Sequence, residues 1–174
     1  MSEGSRETTE ARFDRLLRDH GPALSRLAFG YEKVAAAREE LIQEIALAIW
    51  QALPRFRGEC SERTFVFRIA HNRGLTHAVR RRPAHESLDL LTEADEPHDT
   101  APRPDEHTER VKRRDWLRTA IRTLTPLHRE IVMLALEDLG TAEIAEVLGI
   151  TENNAGVRLH RARAALKKAL EERS

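Results

Sequence analysis

Between Thr151 and Lys167 the chain reads TENNAGVRLHRARAALK, and its polar side chains are of the kinds that read nucleic acid. Asn and Arg carry paired donors and acceptors that match base edges in a DNA major groove, while Arg and Lys on the flanks of the same helix match phosphates. By type and position Asn153, Asn154 and Arg158 suit base edges, and Arg161, Arg163 and Lys167 suit the backbone. A second group lies in residues 54–83, PRFRGECSERTFVFRIAHNRGLTHAVRRRP. There Phe56, Phe65 and Phe67 alternate with Arg57, Arg63, Arg68 and Arg73, next to His71 and Asn72. Aromatic faces beside cations suit single-stranded nucleic acid, because bases stack on the rings and the charges follow the backbone. The closing Arg80-Arg81-Arg82 run suits phosphates. The competing structural role of the phenylalanines is core packing, and for Phe65 part of the ring is expected to serve it.

Enzymatic constellations are missing. Cys60 is the only cysteine, so no intrachain disulfide can form. No CxxC pair, HExxH or phosphate-binding glycine loop occurs, and the eight histidines are scattered without ligand spacing. No catalytic residue, metal or cofactor is therefore expected, and the densest acids fall where no apolar framework could hold them as a nuclease site. No apolar run is long enough to cross a bilayer, and the opening MSEGSRETTEAR has no signal-peptide stretch, so a cytoplasmic chain with no membrane contact is expected.

The elements that must position these residues read as helices throughout. Thr141 before Ala142-Glu143 and Thr151 before Glu152 are two start signals, and Leu148-Gly149-Ile150 is the turn between them. Ile144, Ala145 and Leu148 share the inner face of the first helix, Ala155 and Leu159 that of the second, and Gly149 gives the turn its backbone freedom. This is a helix-turn-helix. Upstream, Thr125-Pro126 starts a helix through Ile131 and Leu134, and Trp116, Leu117, Ala120, Ile121 and Leu124 recur in another that begins near Val111. The first dozen residues are expected to fray. Leucines from Phe13 to Tyr31 recur at helical spacing around Gly21-Pro22, predicting one kinked helix or two short ones. AAAREELIQEIALAIWQAL follows, with Leu41, Ile42, Ile45, Ile49, Trp50 and Leu53 on its apolar side, acids opposite, and Pro54 closing it. Ser61 caps a helix over Arg63 to Arg82.

The formal charge of zero hides a pattern. Residues 1–82 carry 15 basic and 11 acidic side chains, residues 83–109 carry 1 and 9, and residues 110–174 carry 13 and 9. Two basic modules thus flank an acidic, proline-containing linker that holds too little apolar surface to offset its ordering entropy. The predicted fold is all-α: two small helical modules, residues 1–82 and 110–174, joined by a flexible acidic linker over 83–109.

Taken in order, these motifs resemble the bacterial RNA polymerase sigma factors of the compact extracytoplasmic-function group, over roughly Phe13 to Leu170. EELIQEIALAIWQAL resembles the helix of the promoter-melting module that binds core polymerase, which implies that Glu40, Leu41, Gln43 and Glu44 dock on the clamp helices of the β′ subunit. FRGECSERTFVFRIAHNR resembles the stretch that opens the minus-ten element. That implies DNA contacts by Arg57, Ser61, Thr64, Phe65, Arg68, His71, Asn72, Arg73 and Arg80, with single-stranded bases among the targets. The last third resembles the module that reads the duplex minus-thirty-five element, through Thr151, Asn153, Asn154, Arg158, Arg161 and Arg163, and that packs on the β flap. The linker resembles the connector that threads the polymerase cleft. The resemblance also implies an anti-sigma protein as a further partner.

Three departures stand out. Phe65 or Phe67 holds the place of the family's usual Trp, Ala46 that of an aromatic after the Gln-Glu pair, and Asn154-Ala155-Gly156-Val157 that of a common Thr-Val-Lys-Ser stretch. Gly156 inside a helix costs about 1 kcal/mol relative to Ala. The alternative to a sigma factor is a helix-turn-helix regulator that binds duplex DNA without polymerase.

Overall fold

A computed structural model describes residues 7–81 and 106–172. Every regular element among them is helical: α1 (Thr9–Tyr31), α2 (Ala35–Ala52) running into a 3-10 turn (Leu53–Arg55), α3 (Glu62–Arg81), α4 (Glu106–Thr123), α5 (Pro126–Leu136), α6 (Thr141–Leu148) and α7 (Glu152–Glu171). The described residues fall into two compact units, one containing α1 to α3 and the other α4, α5, α7 and the start of α6. Most of the expected linker, 83–105, lies outside the described residues. Its last four positions do not belong to a linker, because α4 already begins at Glu106.

In the first unit α1 starts earlier than its leucines predict. Thr8 accepts a hydrogen bond from the Ala11 amide, which satisfies an orphan donor and brings the polar residues from Thr9 into the helix. Of the two readings of Gly21-Pro22, one kinked helix or two short ones, the structure has the single helix, with Pro22 inside it. Leu16 on one side of it and Leu24, Leu27 and Ala28 on the other are all buried, so packing on both flanks outweighs the lost amide. Buried with them in the first unit are Ala37, Leu41, Ile45, Ala48 and Ile49 of α2, Leu53, and Val66, Phe67 and Ala70 of α3.

The end of α1 is clasped to α3 at three successive turns. The Tyr31 hydroxyl lies 2.7 Å from His71 Nδ1, and the Tyr31 ring covers Gly74 so closely that a Cβ there would stand 2.7 Å from Cε2 and closer still to two other ring carbons. One turn further, His77 Nε2 lies 3.0 Å from Glu32 Oε2 in a buried pair, while Glu32 Oε1 accepts the Val34 amide 2.9 Å away and so fixes the entry to α2. Burial pushes the His71 imidazole below its ordinary pKa, and burial does the same to His20, which meets the Phe67 ring edge-on.

The second unit is held by its helix ends. Thr125 caps α5 by accepting the His128 amide, and Pro126 takes the first helical position as expected. Buried Arg129 then reaches back to the last turn of α4, donating to the carbonyls of Ile121, Arg122 and Leu124 at 3.3, 2.8 and 3.0 Å. The Ile121 carbonyl also accepts the Leu124 amide at 3.2 Å, while all three lie at the helix C-terminus, its negative pole, which the guanidinium neutralises. In the α5–α6 turn the left-handed residue is Asp138, φ 58°. Gly140 precedes α6 as its cap, its amide bonded to Glu143 Oε2 at 2.9 Å, and Thr141 is the first helical residue instead of the cap. The α6–α7 turn follows expectation, with Gly149 at φ 65° and the Thr151 hydroxyl accepting the Asn154 amide. Ile144 and Ala145 are buried as expected, joined by Val147, while Leu148 is only half-buried.

Two outcomes are expected of the first unit. Gly74→Ala drives a methyl group into the Tyr31 ring and should lower stability in urea titration by about 1–3 kcal/mol, with partial recovery when Tyr31→Ala is combined with it. His71 binds a proton less readily folded than unfolded, so its contribution is complete above about pH 6.5 and is lost as pH falls below that. Stability measured between pH 7.5 and 5 should therefore fall less steeply in His71→Gln than in the natural chain.

Candidate nucleic-acid interface

Helix α7 presents one face to its own module and the opposite one outward. Ala155, Leu159 and Ala162 are buried. On the far side Asn153, Val157, His160 and Arg161 surround a shallow open recess floored by Gly156, whose missing side chain makes the dent. Asn154 and Arg163 are also exposed. Thr151 is exposed but its hydroxyl is committed to the helix cap. Arg158, expected to reach bases, sits on the flank and is half-buried. It lies close enough to Glu130 of α5 to oppose the rise that burial imposes on that carboxyl. The sequence reading missed His160 and Val157 as outward residues, although at 100° per residue both stand opposite Ala155 and Leu159.

In the first unit the loop before α3 and the helix itself carry the expected minus-ten residues, and burial divides them. Arg57 is exposed beside Gly58, whose φ of 79° makes the loop turn. Asn72 and Arg73 are exposed on the side of α3 away from the core, between the two buried positions, 71 and 74, that meet Tyr31. Arg80 is exposed and pairs with Glu44 at 2.6 Å. Phe65 is half-buried and stacks on Phe56, ring centres 4.3 Å apart and tilted 31°. Arg68 donates to Cys60 Sγ at 2.9 Å, which ties the loop to α3.

Two expected contacts do not survive. Thr64 is 1% exposed and its hydroxyl accepts from Ser61, while the Ser61 oxygen accepts the Thr64 amide as the helix cap. His71 is buried against Tyr31. Neither reaches a ligand in this arrangement, and both instead hold the helix that displays their neighbours. Phe67, placed with the stacking aromatics by sequence, is a core residue.

The acidic face of α2 is divided in the same way. Glu40 and Gln43 are exposed and Glu44 is half-buried, but Leu41 is fully buried and belongs to the core, so it cannot be a docking contact. The exposed stripe continues through Leu47 and Trp50, 56% and 41% exposed. Trp50 was expected inside. It lies nine residues from Leu41, which is half a turn out of phase, and its ring is instead met edge-on by Phe13 at 5.2 Å. Among the described residues no cluster of His, Cys, Asp or Glu could hold a metal ion, and no helix is long and apolar enough to cross a membrane.

Comparison with known proteins matches both units. Residues 16–83 match the model of sigma-70 region 2 and residues 114–166 that of sigma-70 region 4. The chain is 28% identical over 131 residues to the RNA polymerase sigma factor YlaC of Bacillus subtilis, covering 75% of each chain. It is 27% identical over 166 residues to the RNA polymerase sigma-H factor of Pseudomonas aeruginosa, covering 91% of this chain and 86% of the relative. Two solved structures share its fold. CnrH in complex with the cytosolic domain of CnrY aligns at TM-score 0.69 and 23% identity over 95% of this chain and 91% of that one. RpoE in complex with the anti-sigma factor NepR from Bartonella quintana aligns at 0.72 and 20%, over 92% and 97%. With both regions matched in the order of their motifs, the chain belongs to the sigma-70 family of RNA polymerase sigma factors, in its extracytoplasmic-function group.

Proposed function

We propose that this chain is a non-enzymatic specificity subunit that binds core RNA polymerase, places residues 110–174 on the duplex minus-thirty-five element and opens the minus-ten element with residues 1–82. The observation that carries the reading is the pairing of two different nucleic-acid surfaces in one chain. One is a helix-turn-helix whose outward face offers Asn153, His160 and Arg161, the chemistry of base edges and phosphates. The other combines exposed Arg57, Asn72 and Arg73 with a stacked aromatic pair, the chemistry of unpaired strands. A regulator that only binds duplex DNA has no use for the second surface. Strand opening by such a chain needs no nucleotide hydrolysis, provided captured bases regain in stacking and hydrogen bonds the few kcal/mol that unpairing costs.

The exposed stripe of α2 is the natural polymerase contact. Glu40 and Gln43 supply a polar rim, and Leu47 supplies the apolar centre that the buried Leu41 does not. Two solved structures of this fold are complexes, with CnrY and with the anti-sigma factor NepR, which supports an anti-sigma protein as a further partner.

Run-off transcription from a genomic promoter library, with core polymerase alone and with the added chain, tests the reading. Chain-dependent transcripts sharing two spaced upstream elements are expected; polymerase that neither binds the chain nor gains start sites would refute it. Three variants should then separate the surfaces. Arg161→Ala should weaken duplex minus-thirty-five binding roughly 5- to 100-fold and leave transcription from pre-opened templates intact. Asn72→Ala should do the reverse, and Leu47→Glu should reduce polymerase binding before either.

A further inference from the structure

The loop over residues 56–61 is exposed at Arg57, Gly58 and Glu59, yet its two ends meet on one side chain of a distant helix. Arg12 of α1 lies over the Phe56 ring, its guanidinium carbon 5.0 Å from the ring centre, where the loop begins. The same guanidinium donates from Nε to Glu62 Oε1 at 2.7 Å, where the loop ends and α3 starts. Phe56 in turn stacks on Phe65, one helical turn after Glu62, so Arg12, Phe56, Phe65 and Glu62 form a closed circuit around the base of the loop. Glu62 also takes two bonds from Arg15, at 2.8 and 3.2 Å, and with both guanidinium groups beside it its carboxyl is held down to about 2.

We infer that Arg12 is a positioning residue for promoter opening: it closes the base of the 56–61 loop, so that Arg57 and the residues around Gly58 are offered to an unpaired strand in one fixed arrangement. The inference rests on the reading that this loop handles the opened minus-ten strand. The physical reason is entropic. A loop whose ends are free must be ordered when a base is captured, and that cost is subtracted from the binding that drives opening. Arg suits the task where Lys fits less well, since its planar group can stack on a ring and bond a carboxylate at the same time.

Arg15 provides the control. Arg15→Ala removes two of the bonds to Glu62, and the contacts to Glu7, without touching Phe56. Arg12→Ala removes the ring contact and one bond, while Arg15 keeps Glu62 paired and the fold intact. Hydrogen exchange of the full chain, followed on peptides spanning 56–61 with α7 peptides as reference, should speed up roughly tenfold in Arg12→Ala and by at most about threefold in Arg15→Ala. With core polymerase, permanganate reactivity of minus-ten thymines should drop by a similar factor in Arg12→Ala, at unchanged polymerase binding and unchanged duplex binding, and Arg12→Lys should recover part of both effects. Unaltered exchange in Arg12→Ala, equal loosening in Arg15→Ala, or a loosened loop that still opens promoters at the natural rate would each overturn the inference. If the natural chain itself opens no promoter with polymerase, the proposed function fails, and the exchange data still decide whether Arg12 holds the loop.

Discussion

The contact on which the first module most depends is the close approach of the Tyr31 ring to the backbone of α3 at Gly74. An aromatic ring can lie against a helix at this distance only where no Cβ intervenes, so one glycine sets the separation of α1 and α3. The hydrogen bond to His71 and the buried Glu32–His77 pair then fix rotation and register. Because buried side chains point one way along α3, Asn72 and Arg73 have no choice but to point the other. The proposed nucleic-acid face is thus specified from behind, by what the helix cannot expose.

The second module solves the same problem with helix ends rather than with a clasp. Short helices gain little from their own hydrogen bonds, and their terminal groups must be satisfied by something else. Arg129 serves the end of α4, Glu143 the amide before α6, and Thr151 the start of α7. Each places the next helix at a defined angle, with Asp138 and Gly149 in left-handed conformations at the two turns. What remains exposed on α7 follows from that geometry.

Much of this was legible in the residues. Caps announced by Thr125 and Thr151, the Gly149 turn and the inward pair Ala155 and Leu159 needed only local stereochemistry, and local stereochemistry is what a sequence displays. The choice between one helix and two at Pro22 was not legible, since it depends on leucines finding partners in other helices. The site divided in the same manner. Residue type nominated Asn72, Arg73, Asn153 and Arg161, which stand exposed, and His71, which does not; the family resemblance added Thr64 and Leu41, whose burial is likewise a property of the assembled module. Strict helical phase would have rescued Trp50 and His160. The role of Arg12 needed three dimensions, because its partners lie more than forty positions away.

The ion pair between Glu44 and Arg80 joins a residue of the proposed polymerase surface to one of the proposed DNA surface. Each partner is a competitor for the other's ligand, so anything that engages Glu44 releases Arg80, and a phosphate that captures Arg80 releases Glu44. By thermodynamic linkage the two binding events are coupled by the same factor in both directions. An exposed pair of this kind is worth about 0.2–1 kcal/mol, which bounds the coupling at a few-fold. On the proposed roles of the two surfaces, that one side-chain contact amounts to a small reciprocal preference for DNA when polymerase is already bound.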